Sequence, residues 1–118
     1  MAIPYYANFA VGDFDGDGIP DFVTGKRYFS HLESTTDPDP WGAAVLYVYH
    51  TVRDKTAPGE ARFVPELIHN RSGVGSTVTV VDLNGDGAMD IITATRFGTY
   101  IFWGKANGGK ESANKLPR

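Results

Sequence analysis

Residues 13–27 read DFDGDGIPDFVTGKR and residues 82–96 read DLNGDGAMDIITATR, and the two stretches align without a gap. Asp13, Gly16, Asp17, Gly18, Asp21, Thr24 and Arg27 match Asp82, Gly85, Asp86, Gly87, Asp90, Thr93 and Arg96. Each copy is an Asp-rich turn followed by a strand-like run. A chain built this way uses one loop-and-strand unit twice. It must also account for carboxylates crowded into a turn, where like charges repel unless something positive sits among them.

Asp-x-Asp-x-Asp-Gly places an oxygen donor at alternate positions of a tight loop. Several such donors converge on one hard cation, and calcium takes six to eight oxygens from carboxylates, backbone carbonyls and water. In the first loop the donors are expected to be Asp13, Asp15 and Asp17, with the Ile19 carbonyl and Asp21 closing the shell. In the second they are Asp82, Asn84 and Asp86, with the Ala88 carbonyl and Asp90. Gly18 and Gly87 supply the sharp turn. An EF-hand needs a Glu at loop position twelve and flanking helices. Thr24 and Thr93 hold that position here, and strands follow, so the EF-hand is excluded. The competing account is a pair of Asx-type turns whose aspartates bond only the backbone. Duplication at matched spacing favours the metal.

The rest of the chain reads as short strands rich in Val, Ile, Thr, Tyr and Phe, at 8–12, 21–27, 43–52, 61–69, 76–82, 90–96 and 99–104. No segment carries a helical period of useful length. Turn residues punctuate the strands at DPDPWG, APGE and RSGVGS. NRSGVGS lacks the ending of a phosphate loop and reads as a connection between the two units. Residues 28–42 form a long inter-strand loop of the kind that is often functional. Residues 105–118 form a polar, Gly-rich tail.

At 118 residues the chain is long enough for one core. Its net charge of −3 gives no basic footprint for nucleic acid or an anionic membrane. No apolar run is long enough to span a bilayer, and MAIPYYANFA shows no signal-peptide pattern. The absence of cysteine excludes disulfides and thiolate metal sites.

GDFDGDGIPDFVTG and VDLNGDGAMDIITA resemble the FG-GAP/VCBS repeats of integrin-α-like calcium-binding β-propellers, and the likeness extends over roughly residues 8–104. It implies an all-β fold of about two propeller blades of antiparallel strands, near 1–69 and 70–104. The first strand of each blade would lie close to the central axis, and the calcium loop would join it to the second strand. It also implies two Ca2+ sites and an extracellular or secreted setting. The Gly-Ala-Pro element that helps name the family is absent, and Phe97-Gly98 stands elsewhere in the repeat. A family propeller has about seven blades. Two therefore imply closure by self-assembly as a homo-oligomer, or membership of a larger propeller. A strand from a neighbour, with MAIPYY as candidate, could complete the second unit. A small β-sandwich is the alternative fold.

The acids outside the two loops form no catalytic pattern, and no Gly-x-Ser-x-Gly elbow occurs. His50 and His69 end strands and read as structural. Of the aromatic pairs, one of Tyr47 and Tyr49 and one of Phe102 and Trp103 are expected in the core. The long loop combines aromatic and polar groups suited to sugar stacking. Tyr28, Phe29, His31, Asp37, Asp39 and Trp41 are its candidate ligand residues. The functional expectation is a non-catalytic, lectin-like calcium-binding module recognising a carbohydrate or protein. The alternatives are the propeller portion of a secreted lyase- or dehydratase-type enzyme, and a purely structural assembling repeat.

Overall fold

A computed structural model describes residues 9–27, 41–57 and 59–105. Of the candidate ligand residues, Tyr28, Phe29, His31, Asp37 and Asp39 lie outside the described residues, as do the candidate strand MAIPYY and the tail beyond Lys105.

Seven strands form in chain order: β1 (Ala10–Gly12), β2 (Asp21–Gly25), β3 (Leu46–Arg53), β4 (Ala61–His69), β5 (Val78–Val81), β6 (Asp90–Thr95) and β7 (Gly98–Phe102). Each falls within, or one residue beyond, a stretch rich in β-branched and aromatic residues, which fit a pleated, half-buried surface. β1 to β4 make one antiparallel meander and β5 to β7 a second, with the order β1-β2-β3-β4 and β5-β6-β7. No helix occurs among the described residues. The fold is all-β, two antiparallel sheets arranged as propeller-like blades.

Period-2 alternation decides what faces the core. In the first sheet Ala10 pairs with Val23, and Val23 with Val48, so these side chains share one face. Val11, Phe22 and Tyr49 share the other. The first face is buried. Val23, Leu46 and Val48 cluster with Val74, Val78 and Ile91 between the sheets, and Ala10, Phe14, Ile68, Val80 and Phe102 pack around them. Burying an aliphatic side chain of this size stabilises by about 1.5–3 kcal/mol, so this seam is the principal apolar bond between the units.

Tyr47 and Tyr49 stand two residues apart and so point the same way. Both are half-buried on the outer face, and neither enters the core. Phe102 does pack on the core, while the next residue, Trp103, is exposed.

The connector between the sheets is bonded to both. Gly73 N donates to Ala44 O (2.8 Å) and Val74 N to Lys26 O (3.1 Å). Gly75 N donates to the Thr93 hydroxyl at 3.1 Å. Strands β1 and β5 approach each other across the seam. The approach is close because position 12 is glycine. A Cβ there would lie 2.6 Å from Val80 Cγ1.

Candidate functional site

Both Asp-rich loops span the same place, between the first and second strands of their sheets. In the first loop Asp13 Oδ1 accepts from Gly16 N (2.8 Å) and Asp17 N (3.1 Å), and its Oδ2 accepts from Gly18 N (2.9 Å). Asp15 Oδ1 takes Asp17 N (3.2 Å), and Asp17 Oδ1 takes Ile19 N (2.8 Å). The second loop repeats the pattern. Asp82 Oδ1 accepts from Gly85 N (2.8 Å) and Asp86 N (3.0 Å), and its Oδ2 from Gly87 N (2.8 Å). Asn84 Oδ1 takes Asp86 N (3.2 Å) and Asp86 Oδ1 takes Ala88 N (2.9 Å). Gly18 and Gly87 have φ of 84° and 89°, left-handed backbone that resists other residues. Gly16 and Gly85, at 76° and 75°, share the requirement, which the sequence reading assigned only to the later glycine of each pair.

The closing aspartates differ from the others in being fully buried. Asp21 Oδ2 accepts from Phe14 N (3.0 Å) and its Oδ1 from Thr51 N (2.8 Å). Asp90 Oδ2 accepts from Leu83 N (2.9 Å) and its Oδ1 from Gly104 N (2.7 Å). Each therefore ties its loop to the third strand of its sheet, or to a residue two positions past its end. These amide bonds are the Asx-type contacts weighed above, and they leave further lone pairs on the same oxygens.

One ligand atom each from Asp13, Asp15 and Asp17 lies within 4.8 Å of the others, and Asp15, Asp21 and His50 form a second such group. Oxygens that close fit around a cation with metal–oxygen distances of about 2.3–2.6 Å. The donors are hard carboxylates, the class that calcium takes. Charge also favours a cation. Burial pushes the Asp15 carboxyl above its ordinary value, backbone bonding from Asp17 opposes this, and the charges of Asp21 and Asp17 push it further up.

His50 is the residue that sequence reasoning missed. The β2–β3 register pairs Phe22 with Tyr49, which sets His50 across from Asp21. His50 Nε2 lies 2.6 Å from Glu66 Oε2. Its Nδ1 is buried without a hydrogen bond, 3.4 Å from Asp21 Oδ2 and 3.7 Å from Asp15 Oδ2. A neutral ring donating to Glu66 would aim its Nδ1 lone pair at two carboxylates. Burial lowers the affinity of His50 for a proton, but the Glu66 hydrogen bond and the charges of Asp21, Glu66 and Asp15 outweigh it and raise the pKa. The available signal was alternation along β3, which places His50 on the face of Val48. The same reasoning across β6 and β7 gives Trp103 in the second sheet, so the two loops have different third-strand neighbours.

Trp41 is 72% exposed and lines a cleft of about 400 Å³ with Asn70, Arg71, Phe97 and Tyr100. Four of these five come from outside the long loop. His69 borders the same region, its ring 6.0 Å from that of Tyr100 and 5.4 Å from that of Phe102.

Paired meanders that each carry an Asp loop between their first two strands define a β-propeller repeat module. The FG-GAP repeat model matches residues 5–39 and 74–110, more than half of the chain. The chain belongs to the FG-GAP repeat family. Repeats of this family are often calcium-binding. Neither the curated proteins nor the solved structures contain a match to it.

Proposed function

We propose that the chain is a calcium-stabilised, non-catalytic recognition module. One Ca2+ binds in each Asp loop, and a carbohydrate or protein ligand binds at the cleft that holds Trp41. The observation that carries the metal reading is the duplication. Two loops 69 residues apart in sequence fold to the same hydrogen-bond pattern, each closed by a fully buried aspartate. In the first loop Asp13, Asp15, Asp17 and Asp21, with the Ile19 carbonyl, are the proposed donors. In the second they are Asp82, Asn84, Asp86 and Asp90, with the Ala88 carbonyl. The metal neutralises the carboxylates and fixes the turn from first to second strand. Loop one, with four aspartates against three, takes calcium more tightly.

The ligand reading is supported by the company Trp41 keeps. An exposed indole beside Tyr100, Arg71 and Asn70 offers a stacking face with hydrogen-bonding groups at its edge, the combination that suits sugars and polar protein segments. FG-GAP repeats are typical of extracellular proteins, and we place this chain there. No helix of the described residues is long and apolar enough to cross a membrane.

Titration calorimetry with calcium tests the first half. Two binding events are expected, with magnesium competing poorly because it demands a small, near-octahedral shell. No uptake at millimolar calcium would overturn the reading. A glycan array probed with wild type and Trp41→Ala tests the second. Binding lost in the variant supports the cleft, and binding that survives it unchanged places the ligand elsewhere.

A further inference from the structure

The two sheets pack head to tail. The first sheet meets the seam through Val23 and Val48, and the second through Ile91 and Phe102. These are opposite faces of equivalent units. Ile91 is the counterpart of Phe22, which faces away from the seam, and Ile92 is the counterpart of Val23. In the third strands, Phe102 stands in the register position of Tyr49, and Ile101 in that of Val48.

Among the described residues, packing of this kind leaves one face of each sort outside the seam. The outer face of the first sheet carries Val11, Phe22 and Tyr49 in one row, where the second sheet uses Val80, Ile91 and Phe102 inside the seam. Phe22 stacks on Tyr49 with centroids 4.9 Å apart, and Phe63 meets its ring edge-on at 5.4 Å. Val11 is 54% exposed, and a cavity of about 390 Å³ indents the surface beside it. The outer face of the second sheet carries Ile92, Ile101 and Val81, where the first uses Val23, Val48 and Gly12. Ile101 is 43% exposed. Exposed apolar side chains stand on both outer faces, Val11 on one and Val81 and Ile101 on the other, and such surface fits an interaction site.

We propose that these two outer faces bind each other between copies of the chain. The outer face of the first sheet in one copy seats on the outer face of the second sheet in the next, continuing the seam that already joins the sheets within a chain. The occupant is a second copy because each face finds its complement there, with the same rows of the same units opposed as in the internal seam. One position differs. Val81 stands where Gly12 allows close approach, so the first strands sit wider apart between copies than within one. Such a contact is heterologous. It closes into a ring if the rotation permits and otherwise propagates.

Sedimentation velocity of the full chain over a concentration series, in calcium and in chelator, tests this separately from metal uptake. Wild type is expected to associate as concentration rises. Val11→Glu and Ile101→Glu each abolish association while the far-ultraviolet circular dichroism is unchanged. Mixed together, the two variants form a dimer that grows no further, because one retains the intact second-sheet face and the other the intact first-sheet face. A wild type that stays a single chain throughout overturns the proposal, and so does a mixture that remains monomeric. If either glutamate unfolds the chain, Phe63→Ser on the first face and Thr79→Glu on the second replace them with the same expected outcomes.

Discussion

Asp17 and Asp21 sit four residues apart in one loop, yet burial gives them separate tasks. Asp21 is fully buried and holds two backbone amides, one from its own loop and one from β3. Asp21→Ala leaves both amides unpaired, at about 1–3 kcal/mol for each buried group. Thermal unfolding of that variant should show a loss of about 2–5 kcal/mol even in chelator. Asp17 is exposed and bonds only Ile19 N through its carboxylate in this loop's interior. Asp17→Asn keeps that acceptor, so its stability in chelator should stay within about 0.5 kcal/mol of wild type. Its loop-one calcium affinity should fall roughly tenfold, since ligand charge tunes the site. Equal losses of chelator stability in the two variants would contradict this division. His50 adds a pH term. Its pKa is raised above the ordinary 6.5, so the folded state binds the proton more tightly than the unfolded one. The resulting stability is fully present below about pH 6.5 and is lost as pH rises through the folded value. A cation beside Asp15 and Asp21 cancels the charges that hold the proton. NMR titration of the His50 ring should therefore show a higher pKa in chelator than in calcium. His50→Gln should remove the pH term.

Among the elements, the connector from Asn70 to β5 is the most tightly constrained. It crosses the seam where Val74 and Ser72 are buried, and Gly75 lies against the backbone of β6. A Cβ on Gly75 would come within 1.7 Å of the Ala94 carbonyl oxygen, a contact that no rotamer can relieve. Gly59, in the turn before β4, has φ of 92° with nothing within 4 Å of a built Cβ. Gly75→Ala should cost about 3 kcal/mol or more, at the upper end of overpacking. Gly59→Ala should cost only the about 1–2 kcal/mol of left-handed backbone. Urea unfolding of both variants checks the order, and a reversal would mean that the connector does not lie against β6 as described.

For the whole molecule, the seam and the two loops act on different contacts. The seam is apolar and needs no ion, whereas the proposed calcium would act on the carboxylates of the two loops. Calcium at about a hundred times its dissociation constant adds about 2.7 kcal/mol for one site. For a domain of this size that corresponds to a rise in melting temperature on the order of 10 °C. Differential scanning calorimetry in calcium and in chelator measures it, and coincident curves would remove calcium from the account of stability.

The sequence alone determined the secondary structure and the repeat, because both are local properties. Alternation, β-branched runs and turn glycines place seven strands, and the matched Asp loops place two equivalent turns. Alternation also required that only one of Phe102 and Trp103 enter the core, and the structure chose Phe102. Only the tertiary structure decided what stands beside those turns. Nothing near Asp21 in the chain points to His50 or Thr51, which arrive by strand pairing across 30 residues. Trp41 meets Arg71 and Tyr100 only because the two sheets stack. That stacking turns Phe22 outward and its counterpart Ile91 inward, and it brings Val80 against Gly12. The Asp-loop pattern is shared by both units and does not choose between their two faces; the choice is made where the sheets pack, by contacts between residues far apart in the chain.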